Sequence, residues 1–150
     1  MMEDGTMPQR TVREMIDRDR LVSAGPRTTV RRAAAAMAAG RCGSVLVLED
    51  GRLLGIFTER DLLNRVVGAG RDPEGTRLAE VMTRDPDTIG ADEPVVEAIR
   101  RMDEFSYRYL PVLDGGAVIG VISTRHLPFG EVIAMAPELE QRHSLAERML

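Results

Sequence analysis

Apolar and polar positions along this chain change period in a fixed order, and they do so twice. The stretch "TTVRRAAAAMAAG", residues 28–40, reads as a helix: Thr28 or Thr29 can cap it, the alanines propagate it, and Gly40 ends it. "SVLVLEDGRLLGIFT" follows, two short apolar runs around Asp50-Gly51, which is a hairpin signal. "ERDLLNRVV" then returns to helical spacing. Further on, "EPVVEAIRRMDE" predicts a second helix with Pro94 in its first turn, and "YLPVLDGGAVIGVIS" a second hairpin turning at Gly115-Gly116. The strands are apolar almost throughout, so helices are expected to cover both faces.

The two runs are copies. Gly120 of "GVISTRH" lies 65 residues after Gly55 of "GIFTERD", and the same offset pairs Val30 with Val95, Ala33 with Ala98, Met37 with Met102 and Val47 with Val112. Before about residue 28 a slip of one residue sets "VREMIDR" against "LAEVMTR". Two units are too few for a solenoid, so two half-cores facing each other about a pseudo-two-fold axis are expected. Between the copies, "GAGRDPEGTR" reads as a linker. The repeats are placed at residues 12–70 and 77–133, with an amphipathic helix at 134–150.

Composition narrows the function. The 150 residues are 43% hydrophobic and 29% charged, the balance of a soluble globular chain long enough to bury a core. Aromatics are 3% with no Trp, so the core is aliphatic. Every basic residue other than His is Arg, which excludes Schiff-base lysines and the P-loop lysine. A net charge of -4 with interleaved signs argues against nucleic acid as partner. The single Cys42 and the absence of a leader or membrane-length apolar run lead to the expectation of a cytoplasmic protein. Cys42, His126 and His143 lack ligand spacing, so no metal site is expected, and Cys42 reads as a small apolar filler. No catalytic constellation is visible, and the chain is not expected to be an enzyme.

Thr58-x-x-Asp61, directly before "LLNRVV", supports two readings. Thr and Asp at this spacing form a capping box, which alone would account for both. The same helix start attracts phosphate, and a carboxylate there suits the vicinal hydroxyls of a ribose. An apolar hairpin followed by G-h-h-[ST]-x-x-D into a helix, repeated within 150 residues, resembles the CBS (cystathionine β-synthase) domain pair; "PVLDGGAVIGVIS" is similar to that family's second-repeat signature.

The resemblance implies an α/β (α+β) fold, a tandem CBS-domain pair of two α-β-β-α repeats related by pseudo-two-fold symmetry. It also implies two clefts between the repeats and an adenosine-containing ligand such as AMP, ADP, ATP, S-adenosylmethionine or NAD, with no cofactor acting as catalyst. Carried over by position, one cleft would use Ile56, Thr58 and Asp61 from repeat one with Glu93, Ala98, Tyr107 and Arg108 from repeat two. Tyr107 could stack on a base and Arg108 reach a phosphate. The other cleft would use Val121, Ser123 and His126 with Thr28, Ala33, Cys42 and Gly43. His126 stands at the ribose-carboxylate position, where imidazole offers one acceptor at most, so a single occupied cleft is expected. The family implies a homodimer, with the tail at its edge or against a regulated protein, and a nucleotide-sensing or regulatory role. The alternative is a ligand-free dimerisation module in which Thr58 and Asp61 are only a helix cap.

Overall fold

The computed structural model describes residues 10–16 and 21–127; the expected tail helix at 134–150 lies outside the described residues. In chain order the elements of the first half are α1 (Val12–Met15), β1 (Ser23–Ala24), α2 (Val30–Gly40), β2 (Ser44–Glu49), β3 (Arg52–Thr58) and α3 (Glu59–Asp61), which runs on as a π-helical stretch, Leu62–Val67. The second half has α4 (Leu78–Val81), β4 (Thr83–Arg84), β5 (Ile89–Gly90), α5 (Val95–Phe105), β6 (Tyr109–Asp114), β7 (Ala117–Ser123) and a 3-10 turn, Thr124–His126.

Strands β1 to β4 form one sheet in that order and β5 to β7 another. Each hairpin turns on two residues with positive φ, Asp50 (51°) and Gly51 (77°) in the first and Gly115 (60°) and Gly116 (88°) in the second. Left-handed values at both central positions match the twist of the flanking strands. The register shifts at the same place in each hairpin, between Val47 and Leu48 and between Val112 and Leu113. The duplication legible in the sequence is therefore a duplication of backbone geometry.

Helices α2 and α5 bury one stripe each: Val30, Ala33 and Met37 in the first, Val95, Ala98, Ile99 and Met102 in the second. Thr29 caps α2, its side chain accepting from the Arg32 N–H. The stop falls one residue later than Gly40 suggests. Arg41 takes the left-handed conformation (φ 52°), its N–H donating to Ala38 and the Cys42 N–H to Met37. Ser106 does the same after α5 (φ 59°). Gly40 serves close packing instead, since a Cβ there would stand 3.2 Å from Val22 Cγ2.

There are two principal cores, and the chain exchanges its short helices between them. Leu78, Val81 and Met82, from the second sequence repeat, pack with Val30, Met37, Val45 and Phe57 of the first. Val12 of the first repeat packs with Ile89, Met102, Leu110 and Ile122 of the second. The exchange is reciprocal down to single hydrogen bonds: the Val12 N–H donates to the Glu93 carbonyl and the Leu78 N–H to the Thr28 carbonyl, both at 2.9 Å. The expected linker, residues 68–77, is pinned by it, for the Val30 N–H donates to Thr76 and the Arg31 N–H to Pro73. Those are helix-start donors that otherwise lack partners. Val95 likewise donates to Arg10.

The opening glycines of the two motifs make room for this exchange. A Cβ on Gly55 would stand 2.6 Å from Met82 Sδ and 2.7 Å from the Thr83 carbonyl oxygen, the latter being backbone. A Cβ on Gly120 would stand 2.9 Å from Ile16 Cδ1, the end of a side chain that can turn. Gly55→Ala is expected to cost about 1–3 kcal/mol of stability, the usual range for overpacking. Gly120→Ala should cost clearly less. Urea unfolding midpoints of the two variants test this ordering.

Candidate functional site

Among the described residues, two cavities open between the repeats. The larger, about 330 Å³, has three walls. Strand β3 and the helix start after it supply Ile56, Thr58, Glu59, Arg60 and Asp61, with Arg65 beyond. The turn after α5 and the start of β6 supply residues 106–110. The third wall is Thr83, Asp85, Pro86 and Asp87. That segment reaches the cavity because β4 pairs with β3, Thr83 opposite Ile56, at the end of the exchanged helix.

At the centre of this site the capping box is formed. Asp61 Oδ2 accepts from the Thr58 N–H at 2.9 Å and from the Thr58 hydroxyl at 3.1 Å, and the Asp61 N–H faces Thr58 Oγ1 at 3.3 Å. Asp61 is buried (8% exposed). Its Oδ1 lies 3.5 Å from Arg65 Nε, and Arg65 is itself held by the carbonyls of Val81 and Met82. A carboxylate has about four lone-pair sites, so the cap leaves Oδ1 able to accept a further hydrogen bond. Cap and ligand contact are therefore compatible uses of one side chain.

Two tyrosines shape the opposite wall. Tyr107 donates its hydroxyl to Asp87 and stacks on Phe105 with centroids 5.5 Å apart. The hydrogen bond to Asp87 pushes the Tyr107 phenol above its ordinary range. Tyr109 donates to Glu59 Oε1 at 2.9 Å, and burial, reinforced by that carboxylate, raises its phenol to about 12.

The smaller cavity, about 220 Å³, lies between Val121, Ser123, Arg125 and His126 on one side and residues 41–44 on the other, with Leu21 and Tyr109 completing it. Here His126 takes over the cap: the Ser123 N–H donates to Nδ1 at 2.9 Å. Only an unprotonated Nδ1 can accept that bond, which leaves the ring proton on Nε2.

Of the residues carried over from the family, Ile56, Thr58, Asp61, Tyr107 and Arg108 line the larger cavity, and Cys42, Gly43, Val121, Ser123 and His126 the smaller. Four do not reach either, and they form two repeat-related pairs. Ala33 and Ala98 are 1% and 0% exposed, on the core faces of α2 and α5. Thr28 and Glu93 give their carbonyls to the exchanged helices, and the Glu93 carboxylate is turned to the Gly90 N–H and to Arg101. The sequence pattern does not place the loop at residues 83–87 at a cavity, where the structure puts it. Its signal is the Asp-Pro-Asp turn, in which Asp85 has φ 45°, but only the exchange brings it to the cavity. Among the described residues no group of three or more His, Cys, Asp or Glu could hold a metal ion, and no helix is long and apolar enough to cross a membrane.

The model of the CBS domain family matches residues 12–68 and 78–127. The chain belongs to the CBS domain family. Among its relatives, CBS domain-containing protein CBSCBSPB2 of Arabidopsis thaliana is 36% identical over 120 residues, 79% of this chain but 22% of that protein. The chain thus spans about a fifth of that relative's length. Among solved structures, the CBS domain protein NE2398 superposes with a TM-score of 0.71 at 30% identity, covering 86% of this chain and 98% of that one. The CBS domain protein PAE2072 from Pyrobaculum aerophilum, complexed with AMP, superposes with a TM-score of 0.76 at 25% identity, covering 85% and 99%. The fold is that of a tandem CBS pair.

Tyr109 lines both cavities of the CBS pair. Tyr109 ionises less readily folded than unfolded, so its contribution to stability is complete below about pH 10 and is lost as pH rises towards about 12. The chain has no Lys to titrate in that window. In ultraviolet titration, Tyr109→Phe is expected to remove the component near 12 and leave that of Tyr107. The variant's stability should fall less steeply between those pH values.

Proposed function

We propose that this CBS pair is a regulatory module that binds one adenosine-containing ligand per chain in the larger cavity and has no catalytic role. The observation that carries the reading is the position of Asp61, a buried carboxylate at a helix start, facing a cavity walled by both repeats. AMP in the related PAE2072 supports the ligand class. In this reading Asp61 Oδ1 accepts the ribose hydroxyls, Ile56 and Leu110 flank the base, and Arg60 and Arg108 face the phosphate. Because the walls come from different repeats, a ligand that prefers one separation of them shifts the equilibrium between arrangements by its difference in affinity. Replacement of the carboxylate by His126 supports a single adenosine site.

Calorimetry with AMP, ATP, NAD and S-adenosylmethionine tests this. Saturation is expected at one ligand per chain. Asp61→Asn keeps an oxygen for the Thr58 N–H but loses the charge, and should weaken binding by about 1.5–3 kcal/mol, the range for hydrogen bonds to charged groups. Its effect on the unliganded melting temperature should be small. A variant that loses stability but not affinity would identify Asp61 as a cap alone, leaving the ligand-free dimerisation reading.

We infer a homodimer through the face of the π-helical stretch, where Leu63 and Val67, four residues apart, are 63% and 61% exposed. Leu63→Glu should shift sedimentation from dimer to monomer; unchanged sedimentation would remove this face from the interface.

A further inference from the structure

Each described residue lining the smaller cavity has a repeat-related counterpart lining the larger one, with a single exception, Tyr109. Its counterpart is Ser44, which is buried (6% exposed) and does not reach the larger cavity. The Tyr109 hydroxyl occupies the place a Cβ on Gly43 would take, so the ring crosses from the second repeat and fills space on the first repeat's side. The smaller cavity is left at about 220 Å³ against about 330 Å³. Pockets for drug-sized ligands run from about 300 Å³ upward, so the smaller one falls below that range.

The two also differ in charge. The larger cavity sets four carboxylates, Glu59, Asp61, Asp85 and Asp87, against three arginines. Among the described residues, the smaller presents Arg41 and Arg125 and no carboxylate. Glu59, beyond the partition, is engaged by the Tyr109 hydroxyl. Neither arginine makes an ion pair with a described carboxylate; Arg125 Nη1 lies 3.5 Å from the Arg41 carbonyl oxygen. Ser123 and His126 are paired with each other, the Ser123 hydroxyl lying 3.1 Å from His126 Nδ1, so the arginines carry the donors of this cavity.

We propose that the smaller cavity is a site for a small oxyanion, inorganic phosphate or the phosphate of a compact phosphomonoester, held by Arg41 and Arg125 and limited in size by Tyr109. Guanidinium forks suit phosphate oxygens, and a cavity smaller than its counterpart, with no carboxylate among the described residues to receive a ribose, favours the phosphate group over the nucleoside. This inference concerns a cavity separate from the adenosine site and stands or falls independently of it.

The test is calorimetry of the full chain at low ionic strength with inorganic phosphate, ribose 5-phosphate and AMP. Saturable binding of one phosphate per chain is expected. Arg41→Gln and Arg125→Gln should each weaken it by about tenfold or more. Both side chains are exposed, so the variants should melt like wild type. Asp61→Asn should weaken AMP and not phosphate. Tyr109→Ser, which copies Ser44, should raise the affinity for ribose 5-phosphate relative to inorganic phosphate. Absence of saturable phosphate binding overturns the proposal. So does an affinity unchanged in the double arginine variant, which would reveal a general salt effect. Loss of phosphate binding in Asp61→Asn would place the anion in the larger cavity and overturn it equally. An unchanged preference in Tyr109→Ser would remove Tyr109 as the limit on size.

Discussion

The structure depends on a reciprocal exchange of two four-residue helices. Neither repeat completes its own core: Leu78 and Val81 close the first, Val12 the second. A fully buried side chain of this kind contributes about 1.5–3 kcal/mol, so each half borrows several kcal/mol from the other. The matching bonds from Val12 to Glu93 and from Leu78 to Thr28 fix the register of the exchange. Helices this short have no stability of their own in water and exist only through such packing. The two halves therefore form one cooperative unit, and the clefts between them are built from both.

The site is built from atoms that already have structural duties. Thr58 and Asp61 cap a helix, and in doing so hold the carboxylate at a fixed point on the cavity wall. Arg65 ties that carboxylate to the carbonyls of Val81 and Met82, at the end of the exchanged helix. A movement of the exchanged segment would thus be felt at the carboxylate, and the reverse. This gives a physical route by which a ligand in the cavity could bias the relation between repeats, since both ends are bonded to one guanidinium.

The two repeats carry two unlike clefts on one plan. His126 stands where the first repeat has Asp61, and the cap is kept, because imidazole Nδ1 accepts the backbone N–H that the carboxylate takes in the first repeat. What the change removes is negative charge and a second acceptor oxygen. Ser44 and Tyr109 are repeat-related but unlike in size, and Gly43 leaves the room that the Tyr109 hydroxyl takes.

Local patterning by itself determined the repeat, the order of the main helices and hairpins, both hairpin turns and the Thr58–Asp61 capping box, because each depends on residues within a few positions of one another; the four-residue helices and the two-residue strands escaped it. It also singled out Thr58 and Asp61, whose spacing is meaningful in any context. The family resemblance adds Thr28, Ala33, Glu93 and Ala98, which line neither cavity; a helix start can face a cavity or a partner segment, and the sequence does not say which. Only the tertiary structure decided that the short helices change places, that residues 83–87 form a cavity wall, and that Tyr109 divides the two cavities. Those are contacts between residues tens of positions apart. They arise from two half-cores that each lack a piece, and the energy that selects them is the burial each half gains from the other.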